Sequence, residues 1–109
     1  MGLFGKKKYA KGVTRDNVFM KDYAIKMNGL MRYTENNETI TAALRKLQED
    51  FQYTIATQVK DAKKLEAQIE KKYEALKLLL QQPEWAESEV LLAIRNIGME
   101  LDEINSLRQ

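Results

Sequence analysis

ITAALRKLQEDFQYTIATQVKDAKKLEAQIEKKYEALKLLL, residues 40–80, lies in the longest stretch of the chain without glycine or proline. Its apolar side chains fall at Ile40, Leu44, Leu47, Phe51, Ile55, Val59, Ala62, Leu65, Ile69, Tyr73, Leu76 and Leu80. The mean step is about 3.6 residues, the period of a straight α-helix and not the 3.5 of a left-handed supercoil. Opposite this stripe, pairs such as Lys46 with Asp50 and Lys71 with Glu74 suit a solvated face. The period predicts one uninterrupted helix over 38–81, roughly 65 Å long.

Both flanks carry punctuation. Upstream, the polar run Thr34-Glu35-Asn36-Asn37 marks a break, and Asn36 or Asn37 is placed to cap the long helix. Before it, Phe19, Tyr23, Met27 and Leu30 predict a short helix over about 16–33, capped by Asp16, with Gly29 a candidate left-handed terminator. Downstream, Pro83 stops the long helix and is read as the first residue of another, over 83–107. Val90, Ile94, Ile97, Leu101 and Ile104 give that helix its apolar seam, and Gly98 within it suggests a close helix approach. Trp85 is read as a plug closing the turn against Leu79 and Leu80.

The expected fold is all-α: three helices, the second and third forming a long antiparallel hairpin, preceded by a short helix and a flexible basic arm. Residues 1–13 form the arm and 14–109 one helical domain. The first and third helices together about match the second in length, so a single chain would offer only one helix laid against one helix. Domains need a second packed layer. A homodimer is therefore the expected assembly, joined through Tyr53, Leu78, Leu79 and Leu91.

Charge is sorted along the chain. Residues 1–32 carry a net of +6, residues 33–82 balance, and residues 83–109 carry −4. This predicts an anionic partner at the head or pairing between head and tail. The arm MGLFGKKKYAK sets Leu3 and Phe4 before Lys6, Lys7, Lys8 and Lys11, with Arg15 beyond. Two insertable side chains beside a lysine cluster suit an anionic membrane surface, at about 1 kcal/mol per lysine. The start half-fits a myristoylation signal, but Lys6 stands where serine or threonine belongs. The same lysines, with Tyr9, could track nucleic-acid phosphates, without any motif that reads bases. At the acidic end, Glu100, Asp102 and Glu103 are the expected competitors for the arm, the first helix starting and the third ending near the middle of the second.

Histidine and cysteine are both absent, which removes the commonest general base, metal ligand and thiol nucleophile. Glu66, Glu70 and Glu74 share one helix row and diverge, so they do not surround a cation. No phosphate-cradling glycine loop is present either. No catalytic residue, cofactor, metal or small-molecule substrate is expected. With no apolar run near 20 residues and no secretory signal, a cytoplasmic place, peripheral to the membrane, is expected. The turn Pro83-Glu84-Trp85-Ala86-Glu87 resembles that of small secreted helical-hairpin proteins with Trp-x-Gly, but it lacks the glycine and a helix precedes it. The basic arm resembles that of membrane-remodelling helical proteins, whose first helix is long where this one is short. No family is assigned on either likeness. The expected role is a non-catalytic scaffold or adaptor that self-associates and contacts an anionic membrane through its arm. The alternative is a nucleic-acid accessory protein using the same arm.

Overall fold

The structure, a computed structural model, describes residues 18–54 and 60–107. The described residues are all-helical: α1 over 18–30, a 3-10 turn Met31–Tyr33, α2 Glu38–Tyr53, α3 Lys60–Gln81 and α4 Glu87–Leu107. Four α-helices thus stand where the sequence period predicts three.

The extra helix comes from a break in the long one. α2 ends at Tyr53, and Thr54 turns extended at φ −78° and ψ 131°. Its backbone N–H still reaches the Phe51 carbonyl at 3.3 Å, and its hydroxyl donates to the Asp50 carbonyl. A threonine that spends its hydroxyl on the preceding turn competes with helix continuation. The sequence beyond supports the break, since Ile55, Thr57 and Val59 are β-branched and lose side-chain freedom in a helix. Hydrophobic periodicity is blind to this, because Ile55 and Val59 are apolar and in phase.

The break lets the chain reverse. Asn105 Nδ2 donates to Thr54 Oγ1 at 3.5 Å, which sets the end of α2 beside the end of α4. Gln81 Nε2 donates to Tyr33 Oη at 3.2 Å, which sets the end of α3 beside the start of α2. Lys72 and Glu100 pair across α3 and α4 at 3.5 Å, and the short connection over 82–86 makes those packed helices antiparallel. α1 folds back along α2, bringing the Tyr23 ring to 5.8 Å from that of Phe51, and meets α3 where Tyr23 lies edge-on to Tyr73 at 5.5 Å. α1 and α4 therefore each pack on both α2 and α3. One chain builds a four-helix cross-section, and the second layer expected from a partner is supplied by α1 and α2.

The core is one cluster drawn from all four helices, including Met20, Met27, Phe51, Ile69, Leu76, Ile97 and Ile104. Every buried residue of α2, α3 and α4 lies on the stripes read from sequence, apart from Thr54 just beyond α2. The turn between α1 and α2 is pinned by buried Thr34, whose carbonyl accepts from Thr41 Oγ1 at 2.7 Å, and by Asn37, which caps Ile40 N–H at 3.0 Å.

Two terminus readings and one packing reading are corrected. Gly29 lies inside α1 and no glycine among the described residues has positive φ, so it does not terminate the helix through a left-handed turn. Pro83 stops α3 but does not begin α4, which starts at Glu87 with Val90 N–H bonded to the Ala86 carbonyl at 3.1 Å. Gly98 marks no tight crossing, since a Cβ there would meet Leu47 Cδ1 at an ordinary 3.9 Å.

Gly98→Ala should therefore stabilise the protein by up to about 1 kcal/mol through helix propensity alone. Phe51→Ala, which empties a wholly buried site, should cost about 3–5 kcal/mol, whereas Tyr53→Ala, at a residue 77% exposed, should change little. Urea denaturation of the three variants checks the order, and equal costs at positions 51 and 53 would contradict the packing described.

Candidate functional site

Leu3, Phe4, Lys6, Lys7, Lys8, Lys11 and Arg15, the residues expected to meet an anionic partner, lie outside the described residues, as does the Asp16 cap. What the structure gives is the place where they join the bundle. Because Tyr23 rests on Phe51, α1 starts near the end of α2, beside the Thr54–Asn105 contact that marks the end of α4. The start of the first helix and the end of the last do converge, but at one end of the bundle and not at the middle of a long helix. That end also carries exposed Lys21, Lys60, Lys63 and Lys64, with Asp61, Asp102 and Glu103 among them.

Glu100 is less available than its neighbours. Its side chain keeps only 14% of its exposure and pairs with Lys72, so it joins α3 to α4. Asp102 and Glu103 remain exposed at the end of the bundle where α1 starts.

At the opposite end the two turns meet. Thr34-Glu35-Asn36-Asn37 and Gln82-Pro83-Glu84-Trp85 flank an open groove of about 820 Å³. Trp85 and Tyr33 are half-buried along it, and Trp85 packs with Leu79 onto the core, as a plug would. Asn37, Gln82, Glu84 and Glu89 supply polar lining. Exposed Glu35, Glu38 and Glu87 lie close by in sequence, and the basic groups at this end are Arg32 and Lys77. Glu38, Glu87 and Glu89 sit in first helical turns, where they also complement their own helix dipoles. Nothing in the sequence pattern alone joins these turns; the reversal after Tyr53 brings them together.

Tyr53, Leu78, Leu79 and Leu91 are not gathered into one surface. Leu78 is 63% exposed on the outer side of α3 near the groove, and Tyr53 is exposed at the far end of α2. Leu79 and Leu91 are half-buried against the core. Other exposed apolar residues are scattered: Val18 and Ile25 on α1, Leu92 and Met99 on α4.

The ionisable groups with displaced titration are structural. Burial, aided by the Glu70 carboxylate, pushes the Tyr23 phenol up to about 12. Burial also raises Tyr73, against the opposing pull of Lys26. Lys26 Nζ sits 4.6 Å from the Tyr23 ring centroid and 5.5 Å from that of Tyr73, tying α1 to α3 while pairing with Asp22 at 3.2 Å. Among the described residues, no cluster of acidic, histidine or cysteine side chains is arranged to hold a metal, and no helix is long and apolar enough to cross a membrane.

No protein-family model, curated protein or solved structure matches the chain.

A raised phenol keeps its proton in the folded state after the unfolded chain has lost it, which for tyrosine begins near pH 10. Stability should hold below pH ~10 and fall as pH rises from there to about 12. Tyr23→Phe should flatten that decline, Tyr73 accounting for what remains, as urea midpoints measured through the alkaline range will show.

Proposed function

We propose that this chain is a non-catalytic helical scaffold or adaptor that self-associates and contacts an anionic membrane surface through its N-terminal arm. The observation that carries the reading is the axial separation of charge. The arm joins the bundle at one end, among Lys21, Lys60, Lys63 and Lys64, while the groove with Glu84 and Glu89 lies at the other. Some 21 residues of α4 separate them, about 31 Å of helix. That exceeds the ~8 Å Debye length at physiological salt several times over. An anionic surface met arm-first would therefore feel the lysines, offset in part by Asp61, Asp102 and Glu103 at the same end, and little of the groove's carboxylates.

Among the described residues, the buried side chains are apolar apart from Thr34 and Thr54, which close helix ends. The core is spent on holding two ends at a fixed separation, which is what a scaffold requires.

Vesicle co-sedimentation tests the reading. The full chain should bind vesicles containing phosphatidylserine at low salt, release as salt rises, and ignore neutral vesicles. Substituting Leu3 and Phe4 by Ser should weaken binding by roughly the transfer energy of two partly buried side chains, several-fold. Binding to duplex DNA that is indifferent to Leu3 and Phe4, without vesicle binding, would instead favour phosphate tracking by the lysines.

A further inference from the structure

We propose that the groove between the two turns receives the Lys6–Lys11 segment of a second copy of this chain. The inference rests on the self-association reading above and assigns it a surface. The groove offers Trp85 and Tyr33 as aromatic walls and Glu84 and Glu89 as carboxylates, in a volume within the range of ligand sites. Aromatic faces flanked by carboxylates select extended cationic side chains. The segment KKKYAK supplies four of them around a tyrosine. It is the densest run of positive charge in the chain, and the groove end carries Glu35, Glu38, Glu84, Glu87 and Glu89 against Arg32 and Lys77.

The self-association reading, with the cost of stretching the arm, assigns the contact to a second copy. Lys11 is seven residues from Val18, and seven fully extended residues span at most about 25 Å. Tyr33, which lines the groove, stands about 25 Å from Val18 along α1 and the 3-10 turn. Lys11 therefore reaches its own groove only at full extension, and Lys6 to Lys8 at roughly 60–70% of theirs, giving up part of the arm's conformational freedom. Another molecule meets no such limit. Because the described chain begins at the end opposite the groove, the contact is head-to-tail: each copy joined leaves one groove and one arm free, so the assembly grows with concentration and does not close as a twofold dimer. Held by exposed charge, it releases with salt.

Trp85 is the only tryptophan and lines the groove, so its emission reports occupancy in the full chain. Two charge-reversed proteins are needed, one with Lys6→Glu, Lys7→Glu, Lys8→Glu and Lys11→Glu, the other with Glu84→Lys and Glu89→Lys. At low salt the unaltered chain should show a weight-average mass rising past twice the monomer with concentration, and a parallel shift of Trp85 emission. High salt should abolish both. Each variant alone should stay monomeric, and an equimolar mixture should regain association, because each then meets an oppositely charged partner surface. Association surviving arm reversal, or no rescue in the mixture, overturns the proposal. Association with unchanged Trp85 emission removes the groove and leaves the self-associating scaffold standing. A chain monomeric at every concentration and salt removes both.

Discussion

Tyr23 is the contact on which the arrangement depends. Its ring lies 5.8 Å from Phe51 of α2 and 5.5 Å from Tyr73 of α3, with Phe19 a turn earlier at 4.7 Å. One side chain of α1 thus holds α2 and α3 in a single unit, and aromatic pairs in this geometry contribute about 0.5–1.5 kcal/mol beyond their area. Phe51 can be in that cluster only if the chain turns away soon after it. Had the helix run on to Gln81, Tyr73 would stand about 33 Å along the axis from Phe51, and no single ring could touch both.

From that constraint come the features that bear on function. Reversal after Tyr53 sets the start of α1 and the end of α4 at one end, and the two short turns at the other. A charge order that is linear in sequence is redistributed between the two ends of the bundle. α1 starts at one pole, and the acidic residues divide. Glu84, Glu87 and Glu89 lie at the opposite pole, while Asp102 and Glu103 stay beside the start of α1. Glu100 leaves that contest by pairing with Lys72.

Which residues pack was legible in the sequence to a large degree; how they connect was not. Ile40, Leu44, Leu47, Phe51, Ile69, Tyr73, Leu76 and Leu80 are all buried as their period requires. A stripe, however, records only which face is apolar, and a helix broken in phase keeps the same stripe. The signal that marks the break is of a different kind: a threonine followed by three β-branched residues in five, with neither glycine nor proline to announce it. The groove was illegible for the same reason. Each turn could be read locally from its Asn or Pro, but their meeting depends on the reversal. The expected chain path also shaped the argument for a dimer, since a straight 38–81 helix calls for a second layer from a partner, whereas α1 and α2 supply one within the chain.

The most direct test of the account is a distance along the chain. With no cysteine in the sequence, Thr39→Cys and Gln81→Cys place two spin labels at exposed sites on α2 and α3 without background. A four-helix bundle puts both at the turn end, within about two interhelical spacings of 10 Å, so pulsed dipolar spectroscopy should give one population centred near 20 Å. A population near 60 Å, the span of 42 residues in one straight helix, would contradict the reversal and everything built on it.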